Sequence, residues 1–457
     1  MRYPDIASAP FMNKRARWLV WLDFLLPGSS QVLAGSRKLG RFGLASTVAL
    51  WLAAILAAVV LVVNRVALLT FFTNTIVLFV LQIVLIAYAI IWLLLGLDTL
   101  RLTRLGSVAK NWRLPIAMLS VILTVVPVAG ALWIAGTVGT GREVLASVFR
   151  GAPAVEPVDG RYNILLLGTD AGADREGLRP DSVSLVSVDA KTGQSIMVGL
   201  PRELADIPFA EGSPMAQIHP DGFGVWDGCY TGRCWLNSVY AEVEYFQPEL
   251  YPNAEAEGSS PGIEATKDAV TGATGLEVQF YVLINMEGFE QLIDALGGVT
   301  IDVKEELPIG GDAEGYGIEG WLEPGTQKLD GYEALWYARS RYGSARGDYD
   351  RMDRQRELQA AILAQMTPRN VLLRFQDILK TGEGVASTDI PDSMLGRFVD
   401  LASKAKEHDP ISVQLNPPEI ITEEPDYVKA RLMVADAVFR ASAEGQKAAA
   451  DQGGDGS

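Results

Sequence analysis

Three long apolar runs without a charged residue lie in the first third of the chain, and nothing comparable follows them. Residues 43–63 form the first, and they meet the roughly 20 positions a helix needs to cross a bilayer. A second lies within 66–97. A third, 114–139, carries Pro127 and glycines in its interior but no charge. Three such runs in succession argue against buried helices of a soluble domain. A cleaved signal peptide is also excluded, because the first run starts late and more follow. Residues 18–35 are apolar too, but they hold Asp23 and a Pro27-Gly28 break. They read as an interfacial or re-entrant segment.

Beyond residue 140 the periodicity changes. Residues 140–160 read as a juxtamembrane helix running into a Pro/Gly/Ala linker. Strands are predicted at 162–167, 182–188 and 195–200, the last two joined by a hairpin turn at 189–194. Helices are predicted at 263–271, at 286–295 with Gly297-Gly298 as the stop, and at 331–338 with Asp330 as N-cap. Strands at 279–284 and 299–303 flank the second of these. Strands alternating with helices imply a layered α/β sheet. Residues 205–260 are rich in Gly, Pro and acids and read as a long irregular insertion. The chain thus divides into a basic segment 1–42, three spans in 43–139, a linker 140–160 and a globular domain 161–370. A C-terminal part 371–440 and a disordered tail 441–457 complete it.

Charge sharpens the division. Residues 1–150 carry 14 basic and 4 acidic groups, leaving 25 and 51 for the rest of a chain that has 39 and 55. Basic residues cluster before the first span and between the second and third, which places the N-terminus in the cytoplasm and everything after about residue 140 outside. The only cysteines, Cys229 and Cys234, suit a small loop-stapling disulfide in an oxidising compartment. They are expected to lie apart from the arginine motifs. Nucleotide-binding, nucleophile-elbow and zinc-protease motifs are absent, and His219 and His408 are the only histidines. The acidic globular part argues against nucleic acid.

Candidate chemistry gathers around arginine. Six arginines and no lysine fall within 339–356. A helix is predicted through Leu358, Ile362 and Met366. Counting back from Leu358 by four and three reaches Arg354 and Arg351, so both, with Gln355, lie on or beside its inward face. Inward arginines need a partner. That partner is either an internal carboxylate (Asp348, Asp350, Asp353) or an anionic ligand. Asp170 follows the first strand, Arg179 and Asp181 precede the second, and Arg202 follows the third. Carboxylates among arginines make sense if Asp170 and Asp181 hold Mg²⁺ and the arginines hold a pyrophosphate.

The ordered motifs NILLLGTD (163–170), RPDSVSLVSVD (179–189), MVGLPRE (197–203), LNSVY (236–240), FYVLINMEGFEQLIDALGGVTIDV (280–303), LDGYEALWYARSR (329–341) and GDYDRMDRQ (347–355) resemble the LytR-CpsA-Psr family of cell-envelope phosphotransferases. The resemblance implies an α/β/α sandwich with an apolar lipid tunnel. It implies transfer of a glycopolymer phosphate from a polyprenyl-pyrophosphate carrier to a cell-wall glycan acceptor outside the membrane. Asp170 and Asp181 would be the metal-linked carboxylates. Arg179, Arg202, Arg339, Arg341, Arg351, Arg354 and Gln355 would hold the pyrophosphate, and Asp348 would orient an arginine. Two departures stand out: Pro-Arg-Glu replaces the usual Pro-Arg-Asp, and three spans replace the usual one. A pyrophosphatase using water, or a non-catalytic anion-sensing receptor or attenuator, are the other readings.

Overall fold

The computed structural model describes residues 5, 8–149, 154–169, 179–226, 228–312, 315–365 and 386–442. The chain forms two compact units, Met1–Glu143 and Val144–Ser457.

The first unit is helical: α1 (Ala9–Leu25), α2 (Ser29–Ala34), α3 (Arg37–Val63), α4 (Arg65–Thr73), α5 (Thr75–Thr103) and α6 (Lys110–Val148). Three stretches are long and apolar enough to cross a membrane, Arg37–Val63, Thr75–Ser107 and Lys110–Glu143. Their large apolar side chains, among them Trp51, Leu56, Val62 and Ile76, are exposed, the arrangement a lipid phase covers. They make this unit a membrane anchor. The 18–35 segment is the end of α1, a turn and α2. Asp23 is buried there and accepts the Gly28 N–H at 3.2 Å, closing the break. Close helix approach depends on small residues: a Cβ on Gly96 would stand 2.3 Å from Thr124.

The second unit contains β1 (Arg161–Thr169), β2 (Pro180–Asp189), β3 (Ser195–Leu200), α7 (Pro214–Ile218), α8 (Leu236–Phe246), α9 (Pro261–Thr274), β4 (Phe280–Asn285), α10 (Met286–Leu296), β5 (Val299–Val303), β6 (Leu307–Gly310), β7 (Ile318–Leu322), β8 (Gly325–Leu329), α11 (Gly331–Arg339), α12 (Asp348–Gln365), β9 (Ala386–Thr388), α13 (Leu395–Ala405), β10 (Ile411–Gln414) and α14 (Tyr427–Ala441). The central sheet has the order β10-β3-β2-β1-β4-β9. β1 runs parallel to β4 and β10 parallel to β3, while the β1–β2, β2–β3 and β4–β9 pairs are antiparallel. β1 alternates buried and half-buried positions, whereas every residue of β3 is buried, so the sheet is covered on both faces. Leu165, Leu185 and Val198 join α8, α9 and α14 in the largest core. Phe280, Met394 and Leu401 form a smaller cluster with α13. The result is the α/β layering that the alternating pattern implies.

Two expectations change. Residues 205–260 are not an irregular insertion. Leu204, Ile207, Phe209, Met215 and Phe223 are core residues, and α8 buries Leu236, Val239, Tyr240 and Val243. Those four recur at helical spacing, a signal that the surrounding Gly and Pro masked. Residues 299–303 do form a strand, but β5 pairs only with β8, in a separate two-stranded sheet. The expected tail falls at 443–457, outside the described residues, apart from Ala441 and Ser442.

Two polar contacts tie neighbouring elements together. On α9, Asp268 accepts the Tyr251 hydroxyl at 2.7 Å. Burial raises the Asp268 carboxyl to about 6. At the end of α11, the buried Arg354 donates Nε–H to the Tyr337 carbonyl at 3.0 Å and a further N–H to the Ser340 carbonyl, stapling α12 to α11.

A folded pKa above the unfolded value means that native Asp268 holds its proton more tightly. Its contribution is fully present below about pH 4 and is lost as pH rises through about 6. Relative to Asp268→Asn, the wild type should therefore gain stability as pH falls from about 6 to about 4. The gain should be at most about 3 kcal/mol at 1.36 kcal/mol per pKa unit. Denaturant melts of the full chain in detergent, run for both proteins across that window, measure it, and parallel curves would contradict it. Arg354→Ala should destabilise the fold by about 1–3 kcal/mol, because two carbonyls lose their donor. The same melts at neutral pH check this.

Candidate active site

Sheet register explains why residues distant in sequence share one edge. Thr169 at the end of β1 stands opposite Pro180 at the start of β2, and Leu200 at the end of β3 stands opposite Val183. Residues just past these positions therefore emerge on the same side of the sheet, where loops carry functional groups. Asp181 and Arg202 meet there. The end of α11 adds Arg339 and Arg341, and the first turns of α12 add Asp348 and Arg351.

Arg202 is bonded to the Asp181 carboxylate, and its Nη2 lies 3.2 Å from Glu203 Oε1. Asp348 stands between three guanidiniums: Arg351 Nη2 at 2.9 Å, Arg341 Nη2 at 3.2 Å and Arg202 Nε at 3.9 Å. Arg351 also donates to the Asp181 main-chain carbonyl at 3.1 Å. Its side chain is only 4% exposed. Burial lowers the Arg351 pKa, and Arg341 and Arg202 push the same way against Asp348 and Asp181. Nε of Arg202 and Nε of Arg351 are buried without a hydrogen-bond partner among the described residues. These unused donors suit an anion.

A cleft of about 310 Å³ opens beside this cluster. Its lining holds Arg202, Arg339, Arg341 and Arg351 against Asp181 and Asp312, and Trp336 and the β6 end (Pro308, Gly310, Gly311) close one side. A narrow slot continues from Asp181, Arg202 and Arg351 between α12 and strands β2 and β3. Val183, Val198, Leu200 and Met352 line it, with Gln355 and Gln359. It has about 10 Å³ of open space, room for about one water. Side chains of α12 bound this slot on one side and strand side chains on the other.

The inward helical face holds as expected, since Arg351 and Arg354 are 3% and 6% exposed. The two differ in use. Arg351 faces the cleft, whereas Arg354 is committed to main-chain carbonyls and to Glu305 at 3.5 Å, and is not part of the cleft lining. Gln355 donates to the Ala338 carbonyl at 3.2 Å and borders the slot. Arg179 is exposed just ahead of β2. Asp170 lies outside the described residues, and with it the expected metal pair. Asp350 and Asp353 pair with Arg346 rather than with the inward arginines. Sequence reasoning missed Trp336 and the β6 end. Trp336 had a signal, standing one turn before Arg339 and Ser340 on α11.

Of the two carboxylates expected to hold Mg²⁺, Asp181 is the one described. Such an ion takes one or two carboxylates, waters and phosphate oxygens, not a protein cage. Among the described residues no group of three metal-ligating side chains exists. Asp181 has one oxygen engaged by Arg202, and its second receives no hydrogen bond among the described residues.

A model of the LytR_cpsA_psr family matches residues 146–430. Similar curated proteins include Biofilm regulatory protein A of Streptococcus mutans serotype c, 28% identical over 264 residues, which cover 55% of each chain. Another is the Polyisoprenyl-teichoic acid–peptidoglycan teichoic acid transferase TagU of Oceanobacillus iheyensis, 32% identical over 226 residues, 48% of this chain and 54% of that one. The chain spans about half the length of these curated relatives. Among solved structures, B. subtilis TagV is 20% identical with a TM-score of 0.42, covering 61% of this chain and 95% of that chain. With well over half its length matched by the family model, including the whole β1–β4 edge and the arginine cluster, the chain belongs to the LytR_cpsA_psr family.

Proposed function

We propose that this protein is a membrane-anchored phosphotransferase that moves a glycopolymer phosphate from a polyprenyl-pyrophosphate carrier to a cell-wall glycan. The observation that carries the reading is the cleft itself: four arginines against two aspartates, with a slot leading from them under α12. The relatives named as teichoic acid transferases support the substrate class. The positive-inside pattern supports a multi-pass anchor with the catalytic unit outside.

Arg202, Arg339, Arg341 and Arg351 bind the pyrophosphate, each fork reaching two oxygens. Asp348 holds three of these arginines in register. The acceptor hydroxyl attacks a phosphorus of the carrier. A new oxygen–phosphorus bond forms as the bridging bond breaks, and the electron pair leaves on polyprenyl phosphate. The hydroxyl proton passes to a carboxylate, that of Asp181 or Asp170. The arginines neutralise the charge that develops on the phosphoryl oxygens. Mg²⁺ held by Asp181 and Asp170 would supply further charge neutralisation. The lipid tail enters by displacing α12 side chains from the slot, since leaving prenyl surface in water costs roughly 25 cal/mol per Å².

Transfer from a polyprenyl-pyrophosphate glycan to soluble peptidoglycan strands tests the reading. Asp181→Asn and Asp170→Asn should abolish Mg²⁺-dependent transfer yet bind inorganic pyrophosphate within a few-fold of wild type when metal is absent. Full turnover by both would refute the enzyme. Phosphate release without glycan transfer would identify a pyrophosphatase instead. Arg341→Lys keeps the charge but loses the fork. It should weaken pyrophosphate binding about ten- to a hundred-fold by calorimetry, the loss of roughly 1.5–3 kcal/mol. Amide exchange across 352–359 should change with polyprenyl pyrophosphate and stay unchanged with inorganic pyrophosphate. Equal behaviour with both would place the tail elsewhere.

A further inference from the structure

Residues 18–35 are folded inside out for water. The exposed ones are Trp18, Trp21, Leu25, Leu26 and Leu33, all large and apolar. The polar ones turn inward: Asp23, Ser30 and Gln31 are buried, and Ser29 is half-buried. On either flank the nearest exposed charges are basic, Lys14 and Arg17 before the stretch and Arg37, Lys38 and Arg41 after it. The inward groups bond within the helical unit, as lipid surroundings require. Ser29 Oγ–H donates to the Leu22 carbonyl at 2.8 Å and Ser30 Oγ–H to the Leu19 carbonyl, so α2 folds back along α1. Gln31 Nε2–H donates to the Leu95 carbonyl at 2.8 Å and to the Thr99 hydroxyl at 2.9 Å.

Contacts with α5 give the depth of this hairpin. Arg15 Nη1–H donates to the Leu102 carbonyl at 2.8 Å, and a Cβ on Gly35 would stand 2.9 Å from the Leu102 side chain. The chain therefore enters through α1 and leaves through α2 at the level of one residue, at the end of α5 that carries Arg101 and Arg104. Leu95, which Gln31 reaches, lies about 10 Å from Leu102 along the helix at 1.5 Å per residue. The turn goes deeper. The Thr47 hydroxyl lies 3.5 Å from the Pro27 carbonyl and 3.0 Å from the Tyr88 hydroxyl. Tyr88 is about 21 Å from Leu102 on the same scale. A hydrocarbon core is about 30 Å thick, so the turn stops near its middle. α2, with six residues, is too short to cross it.

We infer that α1 and α2 form a re-entrant hairpin whose Trp18, Trp21, Leu25, Leu26 and Leu33 contact the acyl chains of the cytoplasmic leaflet. An exposed apolar face marks a contact surface. This one lies level with the spans it packs against, where lipid is the surrounding phase. Basic residues at both ends hold those ends at one headgroup surface. The inference rests on the cytoplasmic placement of the N-terminus and is independent of the transferase reading.

The test uses the full chain with single cysteines at exposed positions, Lys14→Cys, Leu26→Cys and Lys38→Cys, in sealed membrane vesicles of both orientations. The native Cys229 and Cys234 are bonded to each other and stay silent toward maleimide without reductant. Positions 14 and 38 should react with a membrane-impermeant maleimide only in inside-out vesicles. Position 26 should react at least tenfold more slowly in both orientations. A bimane fluorophore attached at position 26 should be quenched at least twofold by lipids brominated on their acyl chains and be untouched by aqueous iodide, and at position 38 the reverse should hold. Trp21→Cys repeats the measurement if Leu26→Cys melts below wild type. Reaction of positions 14 and 38 from opposite sides of the membrane overturns the inference, because the segment would then span. Reaction of both only in right-side-out vesicles overturns the cytoplasmic placement. Ready labelling of positions 21 and 26 from the cytoplasmic side also overturns it, since the face would then lie in water or serve a soluble partner.

Discussion

One carboxylate, Asp348, faces three guanidiniums at the edge of the central sheet, and the site depends on that arrangement. A buried arginine is tolerated only with a negative partner close by. Arg351 is nearly fully buried, and Asp348, one turn earlier on the same helix, is that partner. Arg202 reaches the same carboxylate from the end of β3, and Arg341 reaches it from beyond α11. Three elements therefore meet over one charge. Arg202 is paired with Asp181 and Glu203 as well, so what the site keeps for an anion is unused donor capacity, Nε of Arg202 and of Arg351.

The supports around that charge are less demanding chemically but as constrained geometrically. Asp330 and Glu333 form a capping box that starts α11. Arg354 and Gln355 donate to carbonyls at its end, so the end of α11 and the start of α12 hold each other. Arg339 and Arg341 are delivered from a helix end that α12 has fixed. In this way two arginines of one helix divide the work: Arg351 faces the cleft and Arg354 holds the framework.

The slot under α12 continues the cleft away from the arginines. Val183, Val198 and Leu200 line its strand side, and Gln355 and Gln359 its helix side.

Much of this was legible in the chain itself. The three apolar runs had only one physical use, since charge-free helices of that length are stable in lipid. The strands β1, β2 and β3 announced themselves by buried runs between turn residues. The inward turn of Arg351 and Arg354 followed from helical spacing to Leu358. Residue pattern reports which way a side chain points along its own element, and that much is local. Which arginine faces the cleft and which holds a helix end was decided by the packing of α12 against α11, a contact between segments that spacing cannot register. The pairing of β5 with β8 and the packing of Leu204, Phe223 and Val239 into the main core are likewise long-range contacts. Gly and Pro mark where the chain turns, but what it turns toward is set by the sheet edge waiting there, and only the folded structure supplies that edge.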